Sequence, residues 1–134
     1  MKTKIKETND KFLLFINDKQ VSRIKYFVDN DDESFDWIYL YDAYTKKLYR
    51  HKGYMRALMY YAVKKIDMMY PSKGQYLMVK KDNTLAISLY KKLGFKRIRD
   101  MRDIETDEIY IIMANRRKNI NQLITMDCGG FEDV

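Results

Sequence analysis

Between Lys11 and Phe27 the chain alternates apolar and polar positions in two runs, KFLLFI and VSRIKYF, separated by the polar segment Asn17–Gln20. A period of two is that of a half-buried strand, so the segment predicts a β-hairpin. The stretch VDNDDESFD that follows loses the pattern and reads as a loop. DWIYLYDAY is dense in aromatic and β-branched residues, as a central strand should be. After Gly53 the period changes: Met55, Leu58, Met59, Ala62, Ile66 and Met69 fall on one face of a helix, which stops before Pro71 and Gly74. QYLMV is a short buried strand, and DNTLAISLYKKLGF a second helix, capped by Asp82 or Asn83 and ended at Gly94. KRIRDMR and EIYIIMAN give two last strands around an acidic turn. Beyond them Ile120, Leu123 and Ile124 are spaced for one helical turn, and MDCGGFEDV reads as a frayed end.

The order is hairpin, strand, helix, strand, helix, hairpin. Two strand-to-helix crossovers in succession return the chain to the same direction, which implies one central parallel strand pair in an otherwise mostly antiparallel sheet. The expected fold class is α+β, or α/β in a looser naming, with the helices packed on the sheet. At 134 residues one domain is expected over 1–134, with a core at about 12–115 and a tail at 116–134.

Composition narrows the chemistry. With 46% hydrophobic and 34% charged residues the chain should be globular. It has no apolar run of membrane-spanning length and no apolar signal core, so a cytoplasmic protein without membrane association is expected. Cys128 and His51 are single, which removes an internal disulfide, a cysteine zinc site and His-pair metal sites; no metal is expected. The net charge of +7 suits an anionic partner, and its distribution says more. Ala43 to Ile66 holds seven Lys or Arg and no acid, whereas Asp29–Asp36 holds five acids and no base, and Asp100–Glu108 five acids and one Arg. That segregation points to one anionic ligand and leaves room for a cationic one, with solvated acidic loops as the plainer reading.

The basic segment LYRHKGYMR lies where a strand turns into a helix. A helix start exposes up to four unpaired N–H groups and the positive end of the dipole, which makes it an anion site. Gly53 lets the backbone approach closely, and Lys46, Lys47, Arg50, Lys52 and Arg56 surround it with charge, an arrangement suited to a diphosphate. A solvated basic face is the simpler alternative.

RHKGYM, followed about 30 residues later by NTLAISLYKKLGF, resembles the GNAT superfamily of acetyl-CoA-dependent N-acetyltransferases. Arg50 and Gly53 match its Q/R-x-x-G-x-G/A signature; Asn83, Ala86, Tyr90, Gly94 and Phe95 match its Asn-x-x-Ala helix ending in Tyr-x-x-x-Gly-Phe. The resemblance spans roughly Phe12 to Asn115. It implies a GNAT-like fold, acetyl-CoA as cosubstrate, and a coenzyme pyrophosphate held by backbone N–H groups of Arg50, His51, Lys52, Gly53, Tyr54, Met55 and Arg56. By the same resemblance Tyr44 and Thr45 pair with the pantetheine amides, and Asn83, Ala86 and Tyr90 line the pantetheine arm. Met55 departs from the usual Gly or Ala, and must point away from the pyrophosphate. The second departure is the short lead before the first clear strand, where the family places a strand and two helices that wall the acceptor site; an open acceptor site is expected.

Amide formation needs an amine that loses a proton, donors for the tetrahedral intermediate and an acid for the departing thiolate. The family's matching tyrosine makes Tyr90 the expected acid, and a backbone N–H on the strand before the glycine turn the oxyanion donor. Asp42, Asp36 and Glu33 are candidate bases, with Asp42 first by position and a water relay equally open. The acceptor is expected to be a primary amine, a protein lysine or N-terminus or a small polyamine, with the acid-rich loops steering it in. The alternative is a non-catalytic nucleic-acid-binding or protein-interaction module that keeps the fold. Monomer and homodimer are both left open.

Overall fold

The computed structural model describes residues 1–116 and 118–134. Among them eight strands and three α-helices follow in the order β1 (Thr3–Glu7), β2 (Lys11–Ile16), β3 (Lys19–Phe27), β4 (Trp37–Thr45), α1 (Tyr54–Met69), β5 (Gly74–Lys80), α2 (Thr84–Lys92), β6 (Lys96–Asp103), β7 (Ile109–Ala114), α3 (Ile120–Ile124) and β8 (Phe131–Asp133), with a 3-10 turn at Lys47–Tyr49. This is the mixed, mostly antiparallel α+β architecture expected. The residues form two compact units, one of Met1–Val28 with Tyr39–Pro71, the other of Asp29–Ile38 with Ser72–Val134.

In the first unit β1, β2, β3 and the body of β4 pair antiparallel in sequence order. The β2–β3 connection is tighter than the four polar residues suggested: Ile16 pairs with Lys19, and Asn17 and Asp18 alone make the turn, both left-handed at φ 48° and 68°. Two left-handed residues give a turn whose twist matches the strands, and Asn and Asp tolerate it best after glycine. Helix α1 lays the Leu58–Ile66 part of its predicted face on β2 and β3, while Met69 at its end is exposed. Leu58, Met59 and Ile66 are at most 1% exposed, and burying each stabilises the unit by roughly 1.5–3 kcal/mol.

Strand β1 was not expected. Its sequence, TKIKE, has one apolar residue, so no alternating pattern announces it; backbone pairing of Thr3–Glu7 to Phe12–Ile16 holds it at the sheet edge. Charged edge strands of this kind resist unwanted pairing. The residues Thr8–Asp10 connect β1 directly to β2, with no helix between them.

In the second unit β5 pairs with β7, β7 with β6, and β6 with β8, all antiparallel. The head of β4 joins them: Gly74 N–H donates to the Asp36 carbonyl at 2.8 Å, so β4 and β5 start side by side. Trp37, 1% exposed, packs against Gly74, where a Cβ would sit 2.5 Å from the indole. Glycine is required here by close approach. The helical turn read at Ile120, Leu123 and Ile124 forms as α3, and the segment beyond it, expected to fray, is docked instead. Leu123 is fully buried, Trp37 donates from Nε1 to the Asn119 carbonyl at 3.0 Å, and Arg99 Nη1 donates to the carbonyls of Leu123 and Met126, closing the end of α3. Ion pairs from Arg99 to Asp133 and from Arg102 to Glu132 hold β8 on β6. No helix among the described residues is long and apolar enough to cross a membrane.

Candidate active site

The first unit gathers the basic turn. At the end of β4, Thr45 is fixed by a 2.8 Å hydrogen bond between its Oγ1 and the Oγ of Ser22, and Lys46 N–H donates to the Val21 carbonyl at 2.9 Å. Ser22, 1% exposed, is a positioning residue that the sequence did not announce. A polar side chain interrupting VSRI was the only signal. The chain then makes its 3-10 turn, and Arg50 Nε reaches back to the Thr45 carbonyl at 2.8 Å with its guanidinium over the Tyr44 ring at 5.5 Å. Arg50 therefore ties the turn to the strand that precedes it, and Thr45 offers its carbonyl to Arg50.

His51 and Gly53 both take left-handed backbone, at φ 62° and 82°. Gly53 is the N-cap of α1, with no side chain capping the helix. Among the described residues no group accepts from the N–H groups of residues 51–56, and the first bond of the helix runs from Ala57 N–H to the Gly53 carbonyl at 3.0 Å. The side chains of His51, Lys52 and Arg56 are exposed, and a Cβ on Gly53 would meet nothing within 4 Å. Met55 is half-buried, with its side chain partly in the protein and its N–H in the uncapped first turn. The result is a run of donors at the positive end of a 16-residue helix, edged by cations: an anion cradle.

Upstream, β4 carries a bulge. Arg23 pairs with Tyr44 and Lys25 with Tyr41, so Asp42 and Ala43 together face the single residue Ile24, with Asp42 at φ 54°. A bulge of this kind leaves backbone groups out of the ladder and re-aims them. Asp42 itself is committed. Arg23 Nε donates to its Oδ2 at 2.9 Å and Nη2 to its Oδ1 at 3.2 Å, and Lys25 Nζ lies 3.3 Å away. The Arg23 guanidinium, helped by Lys25, holds the carboxyl below the ordinary carboxylate range, which opposes service as a general base.

In the second unit Asn83 caps α2, its Oδ1 accepting from Ala86 N–H at 3.2 Å, as one of the two expected caps. At the other end Gly94, φ 92°, donates to the Lys91 carbonyl at 3.0 Å and Phe95 N–H to the Tyr90 carbonyl at 3.0 Å. These two bonds are the Schellman helix stop, and the rings of Tyr90 and Phe95, 6.0 Å apart, make its hydrophobic contact. The spacing Tyr-x-x-x-Gly-Phe thus has a structural reason independent of chemistry. Tyr90 is 8% exposed, burial pushes its phenol above the ordinary value, and its hydroxyl has no hydrogen-bond partner among the described residues.

The acidic segments are partly spent on their own loops. Asp29 Oδ1 accepts from the N–H groups of Asp31 and Asp32, and Asp32 from that of Ser34. Asp36 meets Gln122 through its backbone, Gln122 Oε1 accepting the Asp36 N–H at 2.8 Å, and Glu33 is exposed. In the β6–β7 hairpin Asp103 accepts from the N–H groups of Glu105 and Thr106, Asp107 pairs with Arg102, and Glu108 with Lys80.

The family model described as "Acetyltransferase (GNAT) family" matches residues 3–95, which include β1, the cradle and the whole of α2. An N-alpha-acetyltransferase of Sulfurisphaera tokodaii is 37% identical over 68 residues, 49% of this chain and 41% of the relative's length. The crystal structure of the ribosomal-protein-S18-alanine N-acetyltransferase from Escherichia coli superposes with a TM-score of 0.67 at 26% identity, covering 81% of this chain and 70% of that one. Arabidopsis thaliana Naa50, in complex with the bisubstrate analogue CoA-Ac-MVNAL, does so with a TM-score of 0.63 at 26% identity over 77% of this chain and 70% of its own. With the family model spanning more than half of its residues, the chain belongs to the GNAT acetyltransferase family.

Proposed function

We propose that this protein transfers an acetyl group from acetyl-CoA to a primary amine, with the amino terminus of a protein as the favoured acceptor. The observation that carries the proposal is the uncapped cradle at residues 51–56, whose N–H groups lack acceptors among the described residues while exposed cations surround them. A coenzyme pyrophosphate supplies the acceptors and the charge this cradle lacks. Relatives named for N-terminal or alanine acetylation, and a neighbour bound to a coenzyme A–peptide analogue, support both the cosubstrate and the acceptor class. A protein lysine or a small polyamine has the same reacting group and remains within the proposed chemistry.

The neutral amine attacks the thioester carbonyl, the carbon becomes tetrahedral, and the bond to sulfur breaks as the carbonyl re-forms. Backbone N–H exposed by the Asp42–Ala43 bulge would donate to the oxyanion, and Tyr90, kept protonated by its burial, would deliver a proton to the departing thiolate. The family resemblance assigns Tyr44 and Thr45, and separately Asn83 and Ala86, to the pantetheine arm. Asp42, bound by Arg23, would leave the amine's proton to water.

Calorimetry with acetyl-CoA tests the cradle. Gly53→Glu puts a carboxylate where the diphosphate would lie and should weaken binding at least 10-fold, since repulsion replaces a charge-assisted contact. Gly53→Ala carries the same left-handed backbone strain without the added charge and should lose much less. Equal affinity for wild type and Gly53→Glu would move the coenzyme site elsewhere.

A further inference from the structure

The first unit has a second surface, on the sheet face away from helix α1. Helix α1 covers one face of the β1–β4 sheet, where Phe12, Leu14, Ile24, Tyr26 and Leu40 are buried. The pairing register sends the alternate residues to the opposite face, which no helix of this unit covers. Lys6 stands beside Leu13 and Leu13 beside Arg23; Lys4 stands beside Phe15; Lys11 stands beside Lys25, and Lys25 beside Tyr41.

That face is aromatic and cationic at once. Phe15 and Tyr41 are half-buried, Phe27 is 56% exposed, and the Tyr39 and Tyr41 rings lie nearly parallel, 11° apart with centroids at 5.4 Å. Lys6 Nζ hovers 4.7 Å from the Phe15 centroid. The Asp42 carboxylate, from the bulge, is taken by Arg23 and Lys25 of this face, whereas Lys4, Lys6 and Lys11 make no ion pair among the described residues. Phe15 on β2 and Tyr41 on β4 are two strand spacings apart, about 10 Å.

We propose that this face of the β1–β4 sheet binds single-stranded nucleic acid, bases stacking on Phe15 and Tyr41 while Lys4, Lys6 and Lys11 hold the phosphates. Flat π-faces spaced across a sheet and flanked by unshared cations match the two things a single strand presents, unstacked bases and a regularly charged backbone. A second copy of this face would set like charges against each other, and an acidic peptide would satisfy the lysines but leave the ring faces unused. The inference stands apart from acetyl transfer and needs no coenzyme.

Fluorescence anisotropy of a labelled oligo-uridine and of an oligo-thymidine, titrated with the full chain at low and moderate salt, tests it. Binding should weaken with salt, log K against log salt having a slope of about −2 if three phosphates are engaged. Lys4→Glu with Lys6→Glu, in an exposed edge strand, should abolish binding while leaving acetyl-CoA affinity unchanged. Tyr41→Ala should weaken it on the order of 10-fold through lost stacking. Heparin and poly-glutamate, which carry charge without bases, should bind more weakly and be insensitive to Tyr41→Ala. No oligonucleotide binding at low salt, binding unaffected by Lys4→Glu/Lys6→Glu, or equal binding of heparin with no effect of Tyr41→Ala would each overturn the proposal.

Discussion

Replacing Tyr90 by phenylalanine separates the two jobs this residue can hold. Its backbone carbonyl accepts from Phe95 N–H at 3.0 Å and its ring packs on Phe95, and phenylalanine keeps both. The hydroxyl has no partner among the described residues, so no internal hydrogen bond is lost. Stability should therefore change by less than about 0.5 kcal/mol, about 2 °C in Tm for a chain of this size. Tyr90→Ala is the contrasting control. Removing a ring that is 8% exposed costs roughly 3–5 kcal/mol, and Tm should fall by about 10–20 °C. If the phenol protonates the thiolate, Tyr90→Phe should lower kcat roughly 100- to 10,000-fold with acetyl-CoA affinity preserved. Because burial raises the phenol's pKa above 10.0, protonation is complete across neutral pH, and this group should cause no loss of kcat until pH exceeds 10. The assay is steady-state acetylation beside thermal melts of the three proteins. Unchanged kcat in a stable Tyr90→Phe variant would refute the acid role and leave the motif as a helix stop.

Three further outcomes follow from the packing and charge. Gly74→Ala should destabilise the protein by about 1–3 kcal/mol, measurable by chemical denaturation, because its Cβ would sit 2.5 Å from the Trp37 ring. Asp42→Asn should lower stability by about 0.2–1 kcal/mol at pH 7, since the pair with Arg23 is about a third exposed. The Asp42 pKa is lowered in the folded state, so its contribution is fully present above the ordinary carboxylate pKa and lost as pH falls through the lowered value; melts of wild type and Asp42→Asn should converge only below about pH 3.8. Neutralising Asp103, Glu105, Asp107 and Glu108 together should reduce kcat/KM for cationic acceptors only modestly, as Arg102 and Lys80 already pair two of them, and should also loosen the hairpin that Asp103 organises.

What was legible in the sequence had either a clean period or a punctuating residue. The face of α1 from Leu58 to Ile66 followed the helical period, and the stop of α2 followed Gly94 because a left-handed residue there needs glycine. The cradle could be placed because glycine and an acid-free basic run coincide at a helix start. What escaped had no such mark. Strand β1 holds itself by backbone pairing with a single apolar residue, and β8 by arginine ion pairs. The β4 bulge depends on two residues opposing one across the ladder, a property of two segments jointly. The same is true of Asp42, which could be read as a candidate base but whose capture by Arg23, 19 residues earlier, could not be seen.

The most direct test of the account is mass spectrometry of peptides with free amino termini, lysine-containing peptides and spermidine incubated with the protein and acetyl-CoA. The account predicts a gain of one acetyl group at a primary amine, most readily at a peptide amino terminus, and its loss in Gly53→Glu. Tight acetyl-CoA binding with no acetylated product in any acceptor class would contradict it, leaving a coenzyme-binding protein without turnover.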